Sequence, residues 1–105
     1  MSRKDGPAPT LVAAVTDIGD VLKERGSRYG QFTDHAALSQ KLKAVMIAHD
    51  ADKYDKMSPD QREALEMIAH KQARILNGDP NYADSWRDIA GYATLVADRL
   101  EGKIG

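Results

Sequence analysis

Cysteine is absent from this 105-residue chain, and aromatic residues are scarce: one Phe, one Trp and four Tyr. The absence of cysteine excludes disulfide scaffolds, thiolate zinc sites and cysteine nucleophiles. A β-sandwich or barrel of this size would normally use more aromatic residues. The net charge of -1, from 15 basic and 16 acidic residues, argues against a protein dedicated to binding DNA or a membrane surface. That balance leaves room for a local basic site that takes a small phosphate ligand.

Long apolar runs are also missing. No window approaches the roughly 18 apolar residues of a membrane span, and no apolar signal-peptide core follows the N-terminus. We therefore expect a cytoplasmic protein with no membrane partner. Residues 1–9 contain Gly6, Pro7 and Pro9 and are predicted to be a flexible leader. Residues 10–105 are predicted to form a single all-α domain.

Hydrophobic periodicity and helix-end signals predict four helices and no strand. The predicted bounds are 10–25, 33–49, 58–77 and 82–101. Gly26 is interpreted as the end of the first helix, and Thr33 as the N-cap of the second. Ser58, Pro59 and Gln61 give the third the clearest start, with an N-cap serine, a proline at the first position and a capping-box glutamine. The apolar stripes, interpreted as core faces, comprise Leu11, Val15, Ile18 and Leu22; Leu38, Leu42, Val45 and Met46; Leu65, Ile68, Ile75 and Leu76; and Trp86, Ile89, Ala93, Val96, Ala97 and Leu100. The fold class is predicted to be all-α, with the helices in a bundle or in paired hairpins.

The predicted third helix carries a polar sector opposite its apolar stripe. Glu63, Glu66, His70 and Arg74 lie within about 100° of one another on a helical wheel. One interpretation is a solvated face supported by i, i+4 pairs. The presence of Met67 inside this sector favours the alternative that it binds something.

The predicted fourth helix has a similar second face. Asp84 and Asp88 repel each other at i, i+4, and Gly91 costs about 1 kcal/mol relative to Ala in a helix interior. Tyr92 and Leu95 lie on the same face. A cation between the two carboxylates would relieve their repulsion, and Gly91 would allow close approach of a ligand or a helix. The alternative is a subunit interface with Asp84 as an ordinary first-turn acid.

The segment 25–32 is predicted to be a loop rich in basic and aromatic residues. Arg25 and Arg28 are suited to gripping phosphates, and Tyr29 or Phe32 to stacking on a base. The alternative is an ordinary connection in which Phe32 is a hydrophobic staple for the next helix.

Four stretches together carry a family resemblance: 25–32, 58–71, 74–79 and 84–92. They resemble a small domain common in bacteriophages and prophages, over residues of about 17 to 100. That domain is in turn similar, more distantly, to the MazG-like all-α nucleoside triphosphate pyrophosphatases, which implies a MazG-like four-helix arrangement here.

The second resemblance implies a magnesium site and a hydrolytic activity. In the MazG-like family two acidic pairs on neighbouring helices hold Mg²⁺, which activates water to release pyrophosphate from a nucleotide. Carried over by position, the catalytic and metal-binding residues would be Glu63, Glu66, Asp84 and Asp88. The ligand-binding residues would be Arg25, Arg28, Tyr29, Phe32, Lys71, Arg74, Trp86 and Tyr92.

Two function classes remain open. The first is a Mg²⁺-dependent nucleotide pyrophosphohydrolase, which the four acids favour. The family's pairs are spaced i, i+3, whereas Asp84 and Asp88 are spaced i, i+4. The second class is therefore a non-catalytic nucleotide binder, such as one that sequesters a host-defence signal, or an interaction module. We also expect a homo-oligomer, because the predicted third and fourth helices carry non-solvent features opposite their stripes.

Overall fold

A computed structural model describes the backbone of residues 11–103 and the side chains of residues 18–103. Five helices follow one another: α1 (Leu11–Tyr29), α2 (Phe32–His49), α3 (Ala51–Lys56), α4 (Pro59–Asn77) and α5 (Ala83–Leu100). The described part contains no strand, so the all-α prediction is confirmed for that part. The predicted leader, residues 1–9, lies outside the described residues.

The ends of α4 and α5 agree with the sequence signals. The backbone N–H of Ser58 donates to the side chain of Gln61 at 3.0 Å, as the capping box predicts. Gly102, in the left-handed region at φ 79°, follows the end of α5. These helix ends depend on neighbouring residues, which is why local sequence specifies them.

The region around the first turn differs from the prediction. Gly26 does not end α1, which continues to Tyr29, and the predicted loop is reduced to Gly30 and Gln31. The turn comes at Gly30, whose φ of 79° favours glycine. Gln31, and not Thr33, occupies the N-cap of α2.

A fifth helix, α3, was missed because it has six residues and no apolar periodicity. Asp50 caps it by accepting a hydrogen bond from the backbone N–H of Lys53 at 3.0 Å. Helix α3 contacts α4 through Tyr54, whose hydroxyl donates to a carboxylate oxygen of Glu66.

Helix α4 is the centre of the fold, with α2 packed along one side and α5 along the other. Lys71 pairs with Asp88 at 3.0 Å, and Arg99 pairs with Asp60 at 2.8 Å, so α4 and α5 run antiparallel. The C-terminal end of α1 contacts the layer that α2, α4 and α5 form. No helix of the described chain is long and apolar enough to cross a membrane.

The buried apolar set in the described residues is small. It consists of Ala64, Ala69, Ala73 and Ile75, all on α4. Of the stripes interpreted as core faces, Ile75 alone has a buried side chain among the described residues, while Leu76, Val45 and Trp86 are more than half exposed. The stripes are therefore only partly buried within the described residues. Half-buried members are Leu38, Leu42, Met46, Ile68, Ile89 and Val96, and Leu11 and Val15 lie outside the residues whose side chains are described.

Candidate functional site

The C-terminal end of α1, the start of α2 and the second half of α4 enclose a pocket of about 490 Å³. This volume lies in the range of small-molecule sites. The lining residues are Leu22, Lys23, Arg25, Gly26, Tyr29, Gly30, Gln31, Phe32, His35 and Arg74. They include three cations and no carboxylate, so the pocket favours an anionic ligand.

Two glycines hold the pocket wall against the end of α4. A Cβ atom at Gly30 would overlap the carbonyl oxygen of Asn77, and one at Gly78 would overlap the carbonyl oxygen of Arg28. The backbone N–H of Asp79 also donates to the carbonyl of Arg28. Close backbone packing thus fixes the end of α1 relative to α4.

A row of alternating arginines and tyrosines runs along one side of the pocket. The guanidinium carbon of Arg74 lies 4.4 Å from the ring centre of Tyr29. Tyr29 meets the ring of Tyr82 edge-on, with ring centres 5.9 Å apart, and the guanidinium of Arg28 lies 4.6 Å from the Tyr82 ring centre. Cation–π contacts of this kind attract each guanidinium to the face of its neighbouring ring.

Two nitrogens of Arg28 have partners, whereas Nε of Arg74 has none among the described residues. Arg28 donates to the Tyr82 hydroxyl at 3.0 Å and pairs with Glu24. The Nε of Arg74 is buried. A buried donor without a partner is costly, and a bound acceptor would satisfy it.

His35 contributes a second buried nitrogen. Its side chain is 4% exposed, and its Nδ1 has no hydrogen-bond partner within the part of the chain that the structure describes. The ring meets Phe32 edge-on on one side and His70 on the other, with centres 5.2 Å and 5.7 Å away. Burial, followed by the charge of Arg74, lowers the pKa of His35, so the ring is neutral at pH 7.

The structure brings together half of the ligand-binding residues expected from the sequence. Arg25, Tyr29, Phe32 and Arg74 line the one pocket, and Arg28 lies just outside it in contact with Tyr82. The other three lie elsewhere. Lys71 is paired with Asp88, Trp86 lines a groove between α2, α4 and α5, and Tyr92 lines a different hollow between α4 and α5.

Three of the four carboxylates assigned to magnesium contact a different neighbour each. Glu66 accepts from Tyr54, and Asp88 pairs with Lys71. Asp84 accepts from the Tyr82 hydroxyl and from Arg87. Glu63 lines the hollow that also contains Asp60 and Arg99.

Within the described chain, no group of three or more Asp, Glu or His side chains lies close enough to hold one metal ion. A cation at Asp88 would have to displace the ammonium of Lys71, which is 11% exposed and 3.0 Å away. The arrangement of the carboxylates therefore does not fit a shared Mg²⁺ centre as these side chains stand, and the magnesium site stays a prediction.

Sequence reasoning missed Lys23 and His35 as lining residues and Tyr82 as a partner of Arg28. Lys23 is two residues before Arg25, and the continuation of α1 brings it to the pocket. His35 had a weak signal, since it follows Phe32 by one helical turn. Tyr82 had none, because it is 54 residues from Arg28 along the chain.

A family model described as a domain of unknown function, DUF6378, matches residues 14–100. No curated protein and no solved structure gives a match.

Proposed function

We propose that this chain, which belongs to the DUF6378 family, binds a phosphorylated small molecule in the α1–α2–α4 pocket, with nucleotides as the favoured class. The observation that carries the proposal is the pairing of Arg74 and His35. Both line the pocket, and each has a buried nitrogen without a hydrogen-bond partner among the residues described. Phosphate oxygens would accept from the Nε–H of Arg74 and from His35 in the tautomer that carries its proton on Nδ1. Lys23 and Arg25 add the positive charge that balances a phosphate.

The aromatic residues favour a nucleotide over a bare phosphate. Tyr29 is held by Arg74 and Tyr82, so it acts as part of the wall. Phe32 is 71% exposed and touches His35 edge-on, which leaves ring surface open at the pocket margin. An exposed ring beside a cationic pocket is suited to stacking on a base.

The hydrolase hypothesis and the MazG-like four-helix arrangement remain proposals based on the sequence resemblance. The partners of Glu66, Asp84 and Asp88 favour binding without a metal as the first hypothesis to test. Sequestration of a nucleotide signal, phage origin and a cytoplasmic location are consistent with this hypothesis. The homo-oligomer also remains a proposal. The sequence suggested the faces opposite the apolar stripes as its interface, whereas the exposure of Leu76, Val45 and Trp86 favours the stripes themselves.

The test is calorimetric titration of the full chain with ATP, AMP, adenosine and inorganic phosphate, each with and without Mg²⁺. We expect ATP and AMP to bind without Mg²⁺, adenosine to bind poorly, and affinity to fall with added salt. A parallel assay for released pyrophosphate separates the two function classes. Equal binding of adenosine and AMP would overturn the pocket assignment, and steady Mg²⁺-dependent pyrophosphate release would establish the hydrolase instead.

A further inference from the structure

We infer that a second copy of this chain covers the apolar face of the α2–α4–α5 layer. This face, called the layer face below, is formed by Leu42 and Val45 of α2, Leu65 and Leu76 of α4, and Trp86 and Ile89 of α5. The proposal does not depend on the ligand pocket, which involves another side of α4.

The geometry of α4 defines the layer face. Residues directed at α5 include Asp60 and Lys71, whose partners are on that helix. Ala73, two residues from Lys71 and therefore on the opposite side of the helix, is buried. Leu65 and Leu76 are eleven residues apart, which places them within about 20° of each other on a third side. Arg74 of the pocket lies about 200° from Leu76, so the two surfaces point in opposite directions.

Large apolar side chains on this face are open to solvent. Leu76 is 72% exposed, Val45 68%, Trp86 55% and Leu65 39%. A groove of about 380 Å³ crosses the face between α2, α4 and α5, and none of its lining residues is charged. Exposed apolar surface of this extent, contributed by three helices together, is typical of an interaction site.

The small number of buried apolar residues indicates why the layer face needs a partner surface. Within the described residues, three alanines and one isoleucine are the buried apolar residues, and no large side chain is fully buried. The entropic cost of ordering five helices normally requires far more buried apolar surface. The stripes that supply that surface in this sequence are the ones on the layer face.

The three-helix layer that carries the face is large enough for the interface that a stable dimer needs. Helices of 18 or 19 residues are about 27 Å long. Three of them at spacings of about 9 Å form a layer about 28 Å wide, with a footprint on the order of 750 Å² per chain. A standard specific interface buries about 800 Å² per partner.

A second copy is the occupant that the chemistry favours. In a twofold dimer the same patch meets itself, so the patch must be complementary to its own surface. An apolar face without charged groups in its central groove meets that condition. The net charge of -1 also gives little repulsion between copies.

The test measures the oligomeric state of the full chain by sedimentation velocity at micromolar concentration, for the natural sequence and for two matched variants. Leu76→Lys places a charge on the layer face. Leu95→Lys, at a side chain 54% exposed, lies about 180° from Trp86 on α5 and is the control. We expect a dimer for the natural sequence and the control, and a monomer for Leu76→Lys. A monomeric natural sequence, or a dimer that Leu95→Lys alone disrupts, would overturn the proposal.

Two further measurements keep the proposal testable if Leu76→Lys fails to fold. The thermal unfolding midpoint of the natural chain should rise with protein concentration, as for any coupled dimer, and a constant midpoint would overturn it. The chain has no cysteine, so single cysteines allow site-directed cross-linking. With a bismaleimide, Gln72→Cys beside Leu76 should give a covalent dimer, whereas Gly91→Cys on the far side of α5 should not. The reverse pattern would place the interface on the other face.

Discussion

The guanidinium of Arg74 lies 4.4 Å from the ring centre of Tyr29, and this contact joins α4 to the end of α1. It holds in place a guanidinium whose Nε is buried without a partner among the described residues. The contact therefore positions the wall of the pocket beside a hydrogen-bond donor that lacks an acceptor.

Substitution of Arg74 tests whether the pocket binds phosphorylated ligands. Arg74→Lys keeps the charge but loses the planar guanidinium and its Nε–H donor, so we expect ATP affinity to fall about tenfold. Arg74→Ala should reduce affinity by about ten- to a hundredfold, the value of a charged hydrogen bond. Calorimetric titration measures both. Arg87→Ala is the control, because Arg87 is exposed and pairs with Asp84 outside the pocket. Equal losses in the control would mean that binding reflects overall charge alone.

The sequence predicted the parts of the fold that local chemistry determines. The start of α4 follows from Ser58, Pro59 and Gln61, which act within one turn. The end of α1 was placed wrongly because Gly26 and Gly30 are equivalent in a local pattern. Of these two glycines, Gly30 adopts a left-handed φ and Gly26 does not. Gly30 packs against the backbone of Asn77, which is distant in sequence, so a local pattern cannot distinguish the two.

The candidate site was predictable to a similar degree. Arg25, Tyr29 and Phe32 lie close together in the sequence and are found in one pocket. The carboxylates were grouped by spacing along each helix, but their partners are set by contacts between helices. Asp88 meets Lys71 because α4 and α5 run antiparallel, which helix periodicity alone does not specify.

Asp88→Asn tests whether this carboxylate is structural. Lys71 is nearly buried and would lose its partner, so we expect the free energy of unfolding to fall by about 1 to 2 kcal/mol, between the values for exposed and buried pairs. Urea titration measures the change. Asp84→Asn, at an exposed position paired with Arg87, should change stability by about 0.5 kcal/mol or less. Unchanged stability in Asp88→Asn, with loss of Mg²⁺-dependent turnover, would instead indicate a metal ligand.

Two glycine substitutions should act in opposite directions. Gly30→Ala forces a side chain into a left-handed conformation and against the Asn77 carbonyl, so we expect a loss of about 1 to 3 kcal/mol. Gly91→Ala is expected to stabilise α5 by about 0.5 to 1 kcal/mol, because a Cβ there meets nothing within 4 Å. Thermal and urea unfolding check both. If Gly91→Ala is destabilising, a ligand or a second helix approaches that position.

His70 should make the fold sensitive to mild acid. Burial, followed by the positive charge of Arg74, lowers the pKa of His70 from 6.5 to about 4; His35, Lys71 and Lys43 act in the same direction. Between pH 6.5 and pH 4 the unfolded chain binds a proton that the folded chain does not. Stability should therefore fall as pH falls through this window, with a slope of up to about 1.4 kcal/mol per pH unit for one proton.

Removal of the imidazole tests this dependence directly. In His70→Gln the unfolding free energy should depend less on pH between pH 6.5 and pH 4, by the equivalent of up to one bound proton. Urea titration at a series of pH values measures this slope. His49→Gln is the matched control, since His49 is exposed at the end of α2. The lowered pKa of His35 adds a slope of the same sign, which is present in the natural chain and in both variants. Identical slopes in the natural chain and in His70→Gln would mean that His70 binds its proton equally well in the folded and unfolded states. The position of His70 beside Arg74 and His35 argues against that outcome.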